Sequence, residues 1–263
     1  MSTIALIGLD SVGASTALSL IRREIQATIL LVDINTELQD AQADVVIITE
    51  GMKPTPGGDI YEHVYFKTTV LKSILKEMMP INPNTVILVV ANPVDLLTTL
   101  AQDITRLPKE RVIGVGTCLD TLRLQEEVVG WPTSRGKDGV SIEERLDAEE
   151  FTQGRMKAIV AGEEGTPLEV GAVAAGIAVA VLEDKKTVWT VSHRRGNNRC
   201  CYSWPVVVGR EGLVREVEVK VREGEKWTFE KGVMKLGIMW EHYKVKEFHK
   251  VKGHDKVKEA EGP

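Results

Sequence analysis

No apolar run in this chain is long enough to span a membrane, and no basic segment or cleavage site marks a signal peptide at its start. The first eight residues read instead as a strand. Cysteine is scarce: Cys118, Cys200 and Cys201 form neither a disulfide framework nor a zinc spacing. Adjacent Cys200 and Cys201 are either a redox pair or two small residues in a strand. Positive charge is not in surplus either. A net charge of −5 and a pI of about 5.7 argue against a nucleic-acid surface. These absences predict a reducing, cytoplasmic protein with no membrane partner, no nucleic-acid partner and no metal site. What is present is 263 residues, 43% of them hydrophobic, enough for one large domain or two small ones.

Apolar segments alternate with helical ones through the first half. Thr3–Ile7, Ile29–Val32, Val45–Thr49 and Val86–Val90 read as buried strands, with helices over Ala14–Glu24, up to about Met79, and over Leu96–Thr105. A short strand at Val112–Ile113 and a helix from near Leu119 follow. This alternation predicts an α/β fold built on a doubly wound parallel sheet. Residues 130–139 are loop-like and set a domain boundary: 1–130, then 131–243, then a tail at 244–263. The second part carries helices near 143–162 and 168–183 and strands at Thr187–Ser192, Cys200–Val208 and Val214–Val221. A last helix starts near Glu223. The Lys-rich end has little apolar periodicity and reads as a frayed tail.

Three groups of residues carry chemistry. Gly8 and Gly13 bracket a turn between a strand and a helix, and Asp33 ends the next strand twenty residues past Gly13. That order is the Rossmann-type fingerprint, in which the acid bonds an adenine-ribose hydroxyl and disfavours a 2′-phosphate. The usual middle glycine is Asp10 here. Its bulk and charge oppose a pyrophosphate, so the turn either cradles a dinucleotide weakly or no longer holds one. Asn92 stands before Pro93 at the carboxyl end of a strand, where open α/β sheets bind ligands. It is either a ligand contact or the cap of the next helix. Asp120 and Arg123, three apart, share a helix face. An Arg can fork onto a carboxylate and an Asp can orient a base, which suits a 2-hydroxy acid; an ion pair worth tenths of a kcal/mol is the plainer alternative.

These segments resemble the L-lactate/malate dehydrogenase family, and within it the filamentous-fungal L-lactate dehydrogenases. The likeness covers most of residues 3–235. It implies a Rossmann-type sheet with a smaller α+β substrate domain, NAD as cofactor, a small 2-hydroxy or 2-oxo acid as substrate, and a homo-oligomer. By resemblance Asn92 contacts substrate and the nicotinamide side, Asp120 orients a catalytic His, Arg123 seats the substrate carboxylate, and Thr166 lines the substrate pocket. Gly8, Gly13, Asp33, Gly51 and Asn92 fall to the cofactor.

The chain also departs from the family. Only ten residues separate Asp33 from Asp44, too few for another strand and its crossover helix. The sheet should therefore lack one edge strand, leaving the strand that ends at Asp33 at the edge. The loop beginning at Gly51 resembles the family's mobile lid, yet Ile60 stands where an Arg polarises the substrate carbonyl. Pro54 stands where malate-specific members carry an Arg. The family's Gly-Glu-His-Gly is absent, and neither His63 nor His193 takes its position. Three functions fit this pattern: a lactate-like dehydrogenase of weak or lost activity, a non-catalytic or repurposed relative, or a transcript lacking two blocks.

Overall fold

In this computed structural model the described residues are 2–33, 43–49, 60–122 and 166–260, with backbone only at 60–63, 166 and 245–260. Strand β1 (Ser2–Ile7) leads through a turn to helix α1 (Ser11–Ile21) and strand β2 (Ala27–Val32). Strand β3 (Val45–Ile48), helix α2 (Ile60–Glu77), strand β4 (Val86–Val89), helix α3 (Val94–Thr105) and strand β5 (Val112–Gly114) continue the alternation. After them come helix α4 (Thr166–Leu182), strands β6 (Thr187–His193), β7 (Tyr202–Gly209) and β8 (Gly212–Glu216), and helix α5 (Glu223–Ala260).

All eight strands join one sheet in the order β2–β1–β3–β4–β5–β6–β7–β8. The pairs from β2 to β5 are parallel, with Ile4 opposite Ile29 and Val45, and Val45 opposite Val86. Strands β6 to β8 form an antiparallel meander, attached to β5 through Gly114 and Ser192. The doubly wound parallel sheet is as expected, and β2 lies at its edge. The strands beyond residue 131 extend this same sheet, while the boundary near 130 and the helix near 143–162 lie outside the described residues.

Parallel strands covered on both faces need apolar side chains at every position, and the central strands β3 and β4 have them. Ile4, Leu6, Val45, Ile47, Val86 and Leu88 point to the face covered by α1 and α4. Ala5, Ile7, Val46, Ile48, Ile87 and Val89 point to the face covered by α2, α3 and the Trp240–Tyr243 turn of α5. Close helix packing is set by glycine on the first face: a Cβ on Gly171 would lie 2.6 Å from the Thr16 nitrogen.

Some boundaries differ from those read in the sequence. Helix α1 begins at Ser11 instead of Ala14, because Asp10 caps it. Strand β7 begins at Tyr202, since the Cys201 amide donates to the Thr99 hydroxyl (2.8 Å) outside the ladder. Strand β8 stops at Glu216 where Val221 was expected, and the Val217 amide turns to the Pro205 carbonyl. The expected frayed tail is helical in backbone to Ala260. Lys and Glu favour a helix intrinsically, so helical backbone persists where apolar periodicity gives out. Among the described residues no helix is long and apolar enough to cross a membrane.

Leu88 is fully buried in β4. Leu88→Ala should lower the unfolding free energy by about 2–5 kcal/mol in urea titrations. Leu18→Ala, at a side chain 48% exposed on α1, should change it by less than about 1 kcal/mol.

Candidate functional site

Because β1 to β5 are parallel, their carboxyl ends lie along one edge of the sheet. In chain order that edge carries Gly8 after β1, Asp33 after β2, Thr49 after β3, Asn92 after β4 and the 115–120 turn after β5. This is where a doubly wound sheet presents ligand-binding groups.

The first turn is built on close backbone approach. Gly8 has φ +93°, and its amide donates to the Val32 carbonyl at 2.9 Å, tying the ends of β1 and β2 together. A Cβ on Gly13 would lie 1.9 Å from the Gly8 carbonyl oxygen, so no side chain fits there. The buried Thr49 hydroxyl lies 2.9 Å from that same oxygen and 3.1 Å from the Ile7 carbonyl oxygen, donating to this pair. Between the glycines, the Asp10 carboxylate accepts from the Val12 and Gly13 amides at 3.0 and 3.1 Å. An acidic cap suits the positive end of a helix. Yet these are the kind of donors that receive a phosphate in a dinucleotide turn. The tight turn and exposed Asp33 fit NAD. Its pyrophosphate would have to displace the Asp10 side chain from the amides.

The second turn holds Asn92, which is exposed at the carboxyl end of β4. It does not cap α3: the N-cap is Pro93, with no side-chain hydrogen bond. Its carbonyl oxygen accepts from Lys67 Nζ at 2.8 Å. Lys67, on α2, is half-buried, and burial lowers its pKa from the ordinary lysine value. Asp95, in the first turn of α3, is also half-buried. Burial raises its pKa, opposed by the nearby Ser192 side chain.

The third turn follows β5. Gly116 has φ +54°, and a Cβ on it would lie within 2.7 Å of the Ser192 amide, the Ser203 hydroxyl and the Thr190 carbonyl. The Thr117 amide donates to Ser203 Oγ at 3.2 Å, and Cys118 Sγ donates to the Thr190 carbonyl at 3.1 Å. The meander thus pins the turn that delivers Asp120, which is half-buried in a helical stretch at 118–122. Arg123 and Gly51 lie outside the described residues. Thr166 is described in backbone alone, as the first residue of α4. Gly171 packs against Ser15 and Thr16, and Gly176 lies near Arg23. The two helices therefore run alongside in the same sense, which puts the start of α4 level with the first turn of α1.

His193 is 1% exposed, with Nδ1 3.3 Å from the Val191 carbonyl and Nε2 3.6 Å from Glu216, which Arg195 holds from the other side at 2.6 Å. Burial lowers its pKa more than Glu216 raises it. It is a packing residue. The side chain of His63 lies outside the described residues. All three cysteines are buried thiols, with pKa raised by burial to about 12 at Cys118 and Cys201 and about 11 at Cys200. Enclosure and a raised pKa both disfavour thiolate chemistry, which argues against the redox alternative for Cys200 and Cys201. No cluster of metal-ligating side chains occurs among the described residues.

Sequence reasoning missed Thr49, Lys67 and Asp95. The signal for Thr49 was a lone polar residue closing an apolar strand, and for Asp95 its place three residues past Asn92. Nothing local marks Lys67, whose partner is twenty-five residues away.

The family model for the NAD-binding domain of lactate/malate dehydrogenases matches residues 36–114. L-lactate dehydrogenase A of Rhizopus oryzae is 30% identical, over 89% of this chain and 91% of that protein. The alignment runs over 291 positions, more than this chain's 263 residues, so that relative holds internal stretches with no counterpart here. An L-lactate dehydrogenase of Clostridium perfringens is 26% identical, over 85% of this chain and 91% of that protein. Among solved structures, a lactate dehydrogenase from a Medee basin deep-sea metagenome library superposes with a TM-score of 0.83 at 19% identity. It covers 92% of this chain and 99% of that one.

The Asp10 cap has a measurable consequence. Asp10→Ala should destabilise the protein by about 0.5–2 kcal/mol in urea, whereas Asp10→Gly should cost only a few tenths of a kcal/mol. Equal losses would mean that the carboxylate does not hold the Val12 and Gly13 amides.

Proposed function

Because the chain belongs to the lactate/malate dehydrogenase family, we propose that it is an NAD-dependent oxidoreductase of a small, lactate-like 2-hydroxy acid, working at a reduced rate. The observation that supports this most is the succession of Gly8, Asp33, Asn92 and Asp120 along one edge of a parallel sheet. When bound, NAD supplies the hydride-transfer chemistry, and the protein supplies position and charge.

In this proposal Asp33 holds the adenine ribose, and the Gly8–Gly13 turn faces the pyrophosphate. Gly51 and Asn92 border the nicotinamide side. Arg123 forks onto the substrate carboxylate, Thr166 lines the pocket and Asn92 contacts the ligand. Asp120 keeps its place on the helix that follows β5, without the histidine it orients in the family. Losing a positioned acid–base group costs about 10²–10⁴ in rate. Ile60 adds a second loss, since an alkyl side chain cannot polarise a carbonyl. A cytoplasmic homo-oligomer completes the proposal.

NADH should bind more tightly than NADPH in a fluorescence titration, because Asp33 repels a 2′-phosphate. Asp10→Gly should tighten NADH further by freeing the α1 amides. Tighter NADPH binding would remove Asp33 from its assigned role, and an unchanged NADH affinity in Asp10→Gly would remove the turn from the cofactor site.

Pyruvate reduction with NADH by the purified protein should run below ordinary dehydrogenase rates, which are on the order of 1–10³ s⁻¹. Turnover within that range would show that another group has taken over the proton. A protein that folds but binds neither NADH nor pyruvate would instead be a non-catalytic relative.

A further inference from the structure

We propose that Lys67 is a substrate-binding cation: it fixes the Asn92 peptide and turns its remaining donors to the oxygens of the small 2-oxo acid. This rests on the 2-oxo-acid reading of the pocket. The geometry starts with α2, which carries the chain from the β3 side of the ligand edge back toward the start of β4. Lys67 stands seven residues past Ile60, roughly 10 Å along the helix. Side chains on a helix lean toward its amino end, so a lysine there reaches back to the edge. Its Nζ does so, arriving 2.8 Å from the Asn92 carbonyl oxygen.

An ammonium has three donors, and Asn92 accepts from one of them. Among the described residues no carboxylate pairs with it, and burial holds its pKa below the ordinary lysine value. A half-buried cation without a counter-ion is costly to keep. An anionic ligand beside Asn92 would supply the missing charge. The demand is particular to this chain, because Ile60 brings no cation to the substrate carbonyl. A strap holding α2 to the β4–α3 turn is the competing explanation, and it needs one hydrogen bond but no charge.

The two separate by substitution. Oxamate, a pyruvate-shaped anion, is titrated by calorimetry against the full chain at saturating NADH, in Lys67→Arg, Lys67→Gln and Lys67→Met. Urea midpoints and NADH affinity are measured in parallel. A cation at the ligand predicts that Met and Gln weaken oxamate about 10- to 100-fold, while Arg stays within about threefold of the original and NADH affinity, which the Asn92 peptide also serves, falls by no more than about threefold. Wild-type oxamate affinity in Lys67→Gln would leave only the strap. A loss shared by Arg and Gln, or a parallel loss of NADH affinity, would equally overturn the assignment. If Lys67→Met does not fold, Gln and Arg decide. Failure of the unsubstituted protein to bind oxamate would overturn the 2-oxo-acid reading itself, and this assignment with it.

Discussion

The close approach of α1 to the end of β1 sets the position of everything else at the ligand edge. Gly13 lies so near the Gly8 carbonyl that even one methyl group has no room. Thr49, from the end of β3, hydrogen-bonds beneath the same carbonyl, so three segments meet at one oxygen. The Gly8 amide adds β2 through Val32. With those backbones fixed, Asp33 and the Asp10 turn cannot drift relative to one another. Small residues on α4 extend the same logic, since Gly171 lets that helix rest on Ser15 and Thr16 and closes the face above β1, β3 and β4.

Charge along this edge is unevenly distributed. At the β1–α1 turn the protein supplies its own anion, and the helix amides are already occupied by Asp10. At the β4–α3 turn it supplies a cation, and among the described residues Lys67 is bonded only to a neutral carbonyl. An incoming phosphate competes with a carboxylate at the first position, whereas an incoming carboxylate or carbonyl finds an unneutralised ammonium at the second. In the proposed function, the same edge holds its cofactor loosely while still attracting a small anion. His193 shows the opposite arrangement, with its imidazole enclosed and Glu216 shared with Arg195.

The shortened crossover after Asp33 is tolerated because of where it falls. Strand β2 pairs with β1 along its whole length, and among the described residues no strand pairs with its other side. A loss between β1 and β4 would have broken Ile4–Val45 and Val45–Val86, the pairings that carry both hydrophobic faces. Much of this was legible in the chain. Ten residues cannot make a strand and a helix, and uninterrupted apolar runs identify strands buried on two sides. The Gly8, Gly13 and Asp33 spacing located the first turn, and Asn92 before Pro93 located the second. The β6–β8 meander was legible as strands but not as part of the same sheet, because the junction to β5 rests on Gly114 and Ser192, nearly eighty residues apart.

The sequence by itself determined the elements, the alternation that makes a parallel sheet, and the residue types standing at strand ends. Those follow from periodicity and turn chemistry, which act over a few neighbours. Which donors and acceptors are already spent was decided only by tertiary structure. A side chain's partner is whatever the fold brings within about 3 Å, irrespective of distance along the chain. Thr49 reaches Gly8 across forty-one positions, and Lys67 reaches Asn92 across twenty-five. Asn92, read as a ligand contact or a cap, proves not to cap α3 because Pro93 holds that place. His193, polar at the end of a strand and so open to a catalytic role, is enclosed because β8 folds back and sets Glu216 beside it.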